Sequence, residues 1–135
     1  MTARIAVITP PMLLALAALS TAQAAGPTGT LTLACKGTET HEGSAGTSSD
    51  QINIGVTVDF QKKIVTGLSD SVLTIDGLTE TTISFSGQEV EANFVWNMSG
   101  TLDRVTGSLV AASTRSNPRL TLTYDLQCRS TQRMF

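Results

Sequence analysis

The sequence predicts an all-β domain, a small antiparallel β-barrel or barrel-like sandwich of about eight strands, behind a cleaved export signal. Three observations point there. Apolar residues recur with period two along almost all of the chain beyond residue 24. Thr, Val and Ile dominate those runs, as pleated half-buried surfaces prefer. The two cysteines, Cys35 and Cys128, fall on the apolar faces of the first and last runs.

The chain opens MTARIAVITPPMLLALAALSTAQAAG. Arg4 gives a short basic start, Ile5 to Leu19 is an apolar run interrupted by Pro10 and Pro11, and Ala22-Gln23-Ala24 matches the small-x-small cleavage pattern. This reads as a secretory signal peptide over 1–24. A spanning helix needs about 20 mostly apolar residues, and here the strongly apolar part is shorter and holds two prolines. No cysteine directly follows the cleavage site, which argues against lipid attachment. Cleavage leaves residues 25–135 as a single domain of 111 residues. Without Arg4 it carries 8 basic and 11 acidic side chains, a net charge of −3.

Within that domain the first strand is read from Leu31, Leu33 and Cys35. Gly37 to Asp50, rich in Gly, Ser and Thr, reads as a mobile loop. Ile52, Ile54, Val56, Val58 and Phe60 form the second strand, and Gln61-Lys62-Lys63 is a short polar link. Ile64 to Leu68 and Val72 to Ile75 are two short runs, followed by Asp76-Gly77 as a tight-turn dipeptide. Ile83 and Phe85 mark the fifth strand, with Ser86-Gly87-Gln88 as a turn after it. Val90, Ala92, Phe94, Trp96 and Met98 share one face of a sixth strand, Glu89 and Glu91 the other. Leu102 to Gly107 links to the Leu109–Ala112 run, and Asn117-Pro118 opens the last strand. There Leu120, Leu122, Tyr124, Leu126 and Cys128 share a face. The Phe60–Leu68 and Leu102–Leu109 segments resemble each other, as similar hairpins with similar turns do.

An exported chain meets an oxidising compartment, where an even cysteine count implies pairing. Bridging Cys35 to Cys128 would close a loop of about 90 residues, worth roughly 4–5 kcal/mol in the chain-entropy model. It also requires the first and last strands to lie close together. A sheet closed on itself meets this condition and removes exposed edges; a sandwich bridged across its core meets it too.

Charge and composition narrow the function. Charged residues make up 15% of the chain and its net charge is −2, with no basic patch to neutralise a phosphate backbone, so nucleic-acid binding is not expected. Several strand runs are shorter than a membrane-spanning barrel needs and the aromatics are too few, so such a barrel is not expected. His41, the single histidine, stands in Glu39-Thr40-His41-Glu42 with Asp50 nearby, but a lone imidazole in a loop is a poor metal site. It is also the sole imidazole base, and no G-x-S-x-G elbow accompanies it. Glu89 and Glu91 form a carboxylate pair of the kind glycosidases use, but on what is expected to be the solvent face. Phe94, Trp96 and Met98, with Tyr124, are expected in the core or lining a cavity. No catalytic residue, cofactor or metal is expected.

The tail Cys128-Arg129-Ser130-Thr131-Gln132-Arg133-Met134-Phe135 resembles the ending of an uncharacterised family of small exported proteins from rhizobia and related alphaproteobacteria. Leu33 to Gly37, Val56 to Phe60 and Asp103 to Gly107 are similar to that group as well. The resemblance implies export and carries no function. The expectation is a periplasmic or secreted, soluble, non-enzymatic β protein that binds a small apolar ligand or an envelope protein partner. The alternatives are a structural or stress-related envelope protein without a ligand site, and a metal-dependent enzyme using the His41 loop.

Overall fold

The computed structural model describes residues 27–131. The segment 1–24 expected to be a signal peptide, the two residues after it, and the last four residues of the tail lie outside the described residues. Eight strands follow one another: β1 (Thr30–Gly43), β2 (Gly46–Asp59), β3 (Ile64–Thr66), β4 (Leu73–Leu78), β5 (Thr82–Val90), β6 (Val95–Asp103), β7 (Ser108–Ser116) and β8 (Arg119–Ser130). Each pairs antiparallel with its sequence neighbours, and β1 pairs with β8, which closes the barrel. Of the two architectures that bring the cysteines together, the chain adopts the barrel.

Alternation along each strand sorts side chains into an inner and an outer row. The inner row of β1 carries Leu33 and Cys35, that of β2 Val56 and Val58, and that of β8 Tyr124, Leu126 and Cys128, all buried. Leu73, Ile83, Phe85, Leu109 and Val65 complete the centre of the barrel. The outer rows are polar: Thr38 and Gln51, Thr40 and Ser49, and Gln88 and Asn97 face each other as hydrogen-bonded cross-strand pairs. Space inside is set by small residues. A Cβ on Gly100 would come within 2.7 Å of both the Phe85 ring and Ala111 Cβ, so Gly100 and Ala111 together make room for that ring.

The Cys35–Cys128 disulfide lies in the closing seam, where the two residues face each other directly in the β1–β8 register. Eleven residue pairs, Leu33↔Ser130 to Gly43↔Leu120, join those strands. The opposite side of the barrel is thin. β2 and β3 share three register pairs and β3 and β4 two. Gly67, at φ +104°, reinforces this side by resting its backbone on Gly55, where a Cβ would lie 2.0 Å from the Gly55 carbonyl oxygen.

Three local expectations are corrected. Gly37–Asp50 is not a mobile loop: β1 and β2, 14 residues each, run through it as a hairpin paired from Thr30↔Asp59 to Gly43↔Gly46. Thr38, Thr40, Thr47 and Ser49 are on the outer face of two strands, and only Ser44 and Ala45 turn. Asp76-Gly77 and Ser86-Gly87-Gln88 are not turns. The first lies at a β-bulge in β4 and the second inside β5, where Gly87 admits Leu73 at close range. Finally, Val90 and Trp96 belong to different strands. Glu91 to Phe94 reverse the chain, with the Glu91 amide donating to the Phe94 carbonyl at 2.9 Å.

The similar turns at Phe60–Lys63 and Arg104–Gly107 share a device. Asp59 accepts a hydrogen bond from the Lys62 amide at 2.8 Å. Asp103 accepts from the Val105 and Thr106 amides at 2.8 and 2.9 Å. The Thr106 and Val105 amides hold the Asp103 carboxyl below the usual carboxylate range. Both turns lie at the end of the barrel that carries Gly29 and Thr131. The turns at Ser44-Ala45, Glu91–Phe94 and Asn117-Pro118, with the Gly67–Val72 connection, surround the other end, the mouth.

Candidate functional site

The inner rows change character toward the mouth. On β5 the row Ile83, Phe85, Gly87 ends in Glu89. On β6 it runs from Leu102 and Gly100 to Met98 and Trp96. On β7, Leu109 and Ala111 give way to Ser113 and Arg115, and on β8 Leu126 and Tyr124 to Leu122 and Leu120. On β1, Cys35 is followed on the same parity by Gly37, Glu39 and His41. The apolar packing of the barrel centre therefore stops short of the mouth, where the inner row turns partly polar.

A cavity of about 320 Å³ occupies this region. Trp96, Met98, Leu122, Tyr124 and Leu73 supply its apolar wall, and Ser113 and Gly87 line it between them. Ser69, Asp70 and Ser71, from the β3–β4 connection, together with Glu89, form its rim. The Ser71 hydroxyl donates to the Glu89 carboxylate, which ties the connection to β5. An eight-stranded barrel is just wide enough either to fill with side chains or to hold one small ligand. Here it does the first at the centre and leaves room for the second at the mouth. A larger hollow of about 580 Å³ lies at the opposite end, around Leu31, Phe60 and the Arg104–Gly107 turn. Turn residues make up much of its lining, and Phe60 is its one aromatic.

Tyr124 and Ser113 are both 7% exposed. Glu39 is the register partner of Tyr124 across the β1–β8 ladder, and its carboxylate acts on the phenol. Burial first, and the Glu39 charge second, push the Tyr124 phenol up to about 12 from its ordinary 10. His41 Nε2 lies 3.5 Å from Glu39 Oε1. Among the described residues no group of three His, Cys, Asp or Glu side chains converges as metal ligands. His41 belongs to a paired strand, not to the loop the sequence suggested, and Glu42 faces the other way from Glu39 on that strand.

Of the sequence-selected residues, Trp96, Met98 and Tyr124 line the cavity. Phe94 stands one residue ahead of β6 and packs edge-on against Trp96, with ring centroids 6.1 Å apart. The Arg115 guanidinium covers both rings, 5.5 Å from Phe94 and 5.3 Å from Trp96, and its Nε donates to the Pro118 carbonyl at 3.1 Å. This stack holds the Trp96 side of the mouth in place. Cys35 and Cys128 are not among the residues that line the cavity; they act on the fold.

Glu89 is a correction. It lies on the inner row opposite Trp96, while Val90, expected inside, is 70% exposed. The chain reverses between Val90 and Val95, so the alternation does not run on from β5 to β6, and the faces upstream of the reversal are inverted. Glu91 falls in that reversal, so the two glutamates do not share a strand face. Ser113, Leu122 and the Ser69–Ser71 rim were not singled out from the sequence. Ser113 shares parity with Leu109 and Ala111, a signal that a small polar residue in an otherwise apolar row does carry.

No family model, curated protein or solved structure matches the chain.

Proposed function

We propose that the protein is an exported, water-soluble binding barrel that holds one small, mainly apolar ligand in the cavity at its mouth. The observation that carries this reading is the cavity itself: a hollow of about 320 Å³, walled by Trp96, Met98, Leu122 and Tyr124, above a fully packed centre. Small-molecule sites are concave and mostly apolar, with a few placed polar groups. Ser113, Tyr124 and Glu89 supply the polar groups here.

Export is supported by the signal-like N-terminus and by the Cys35–Cys128 bridge, which fits an oxidising compartment, the periplasm or the exterior. Solubility is supported by outer rows of Thr, Ser, Asn and Gln where a lipid-facing wall would be apolar. A non-enzymatic role is favoured because, among the described residues, the hydroxyl–carboxylate contact at the rim, Ser71 to Glu89, has no third group that orients it as a nucleophile and base.

Trp96 is the chain's single tryptophan and makes the test direct. The protein is titrated with a panel of alcohols, amines and acids of about ten non-hydrogen atoms, the number that fills the cavity if each takes roughly the volume of a water molecule. A saturable change in Trp96 fluorescence, with a ligand-dependent rise in Tm, is expected for at least one member. Ser113→Leu, which fills the cavity, should abolish it. No response to any member would refute the reading.

A further inference from the structure

The charges around the cavity narrow the ligand class. Every charged side chain lining it is acidic, namely Asp70 and Glu89. Glu39 adds a third carboxylate behind Tyr124. Arg115 lies over the Phe94 and Trp96 rings, donates to the Pro118 carbonyl, and is not part of the cavity wall. Glu89 accepts one hydrogen bond, from Ser71 through Oε2.

A second observation comes from deeper in the cavity. Ser113 is more than nine-tenths buried and faces the cavity between Met98 and Leu122. Its hydroxyl is seen in no hydrogen bond with another described residue. Yet no buried side-chain nitrogen or oxygen among those residues is orphaned, so the hydroxyl keeps access to the cavity space. A buried, cavity-facing hydroxyl is a socket for a polar atom of an occupant.

We infer that the cavity takes a small primary amine carrying a hydroxyl on an apolar body, with its ammonium at the Asp70–Glu89 rim and its hydroxyl at Ser113. The inference rests on the binding-barrel reading and names the ligand class for that same site. The body packs against Trp96, Met98 and Leu122. An ammonium donates only, which suits carboxylates that need donors, and charge-assisted hydrogen bonds are about twice as strong as neutral ones. An anionic ligand would meet like charge at the rim.

Tyramine, with about ten non-hydrogen atoms, is a fitting probe for a cavity of this volume. Calorimetric titration of the mature protein compares it with 4-hydroxyphenethyl alcohol, which lacks the charge, and 3-(4-hydroxyphenyl)propanoate, which reverses it. Tyramine should bind at least about ten-fold more tightly than the alcohol, and the propanoate most weakly. In the double variant Asp70→Asn, Glu89→Gln the amine preference should collapse to within about two-fold while the alcohol still binds. Ser113→Ala should weaken tyramine and leave phenethylamine, which has no hydroxyl, unchanged. Equal binding of the three probes would overturn the inference and leave the binding-barrel reading standing. An amine preference that survives in the double variant would overturn the assignment to Asp70 and Glu89. Loss of phenethylamine binding in Ser113→Ala would overturn the role given to Ser113. Failure of every compound in this set and in the wider panel would overturn both.

Discussion

Reducing the Cys35–Cys128 bridge should lower stability by about 4.6 kcal/mol without changing the folded barrel. The magnitude follows from the sequence separation of 93 residues. Closing a loop of that length removes about 15.6 cal/mol/K from the unfolded ensemble, or about 4.6 kcal/mol at room temperature. The native state has little to lose, because eleven β1–β8 register pairs hold the two strands together around the bridge. The unfolding entropy of the 105 residues from 27 to 131 is about 0.22 kcal/mol/K, so the shift in Tm should be about 20 °C. The assay is thermal and urea unfolding, followed by circular dichroism, of oxidised and reduced protein, with thiol content checked by mass. Spectra of the folded forms should superimpose. The urea m-value should rise on reduction, since the freed unfolded chain is more expanded. A Tm shift below about 5 °C, or a changed native spectrum, would refute the account. The first result would mean that the unfolded ends already stay together, the second that β1–β8 pairing needs the bond.

Three further outcomes are expected. Gly100→Ala should destabilise the barrel by about 1–3 kcal/mol, because the added methyl meets the Phe85 ring and Ala111 at 2.7 Å inside a packed centre; chemical denaturation measures it, and a neutral result would show that the ring can move aside. Tyr124, the chain's single tyrosine, should titrate near 12 by phenolate absorbance, against an ordinary 10. Below pH 10 the phenol is neutral in both states. Between pH 10 and 12 the unfolded chain releases its proton first, so stability falls as pH rises, and Tyr124→Phe should remove that loss. Hydrogen exchange should be fastest along the β2–β3–β4 side, where three and two register pairs hold the wall, and slowest at the β1–β8 seam.

Strand count and fold class were legible because alternation is a local signal. Ile52 to Phe60 and Leu120 to Cys128 each show one apolar face, and both are strands with that face inward. Local punctuation misled where Gly had a long-range purpose. Gly77 beside a bulge and Gly87 beneath Leu73 looked like turn residues, while what they provide is a bulge and a close approach. Serine and threonine in Gly37–Asp50 looked like loop composition because a solvent-facing strand row and a loop use the same residues. At the candidate site, Trp96, Met98 and Tyr124 stood out as large residues in apolar rows. Glu89 did not, since its face depended on where the β5–β6 reversal fell.

The amino-acid order alone determined that the chain forms amphipathic strands and that its two cysteines stand on the inner faces of the first and last. These are consequences of a two-residue period and of the positions of two side chains. Where the hollow walled by Trp96 and Tyr124 lies was decided only when the strands closed. The cavity exists because inner rows from β4 to β8, distant in sequence, reach the mouth together with Ser113, Glu89 and Trp96 where the centre has Leu, Ile and Phe. Whether a row is full or empty depends on what stands across from it, and that is a property of the register between strands, which no single segment carries.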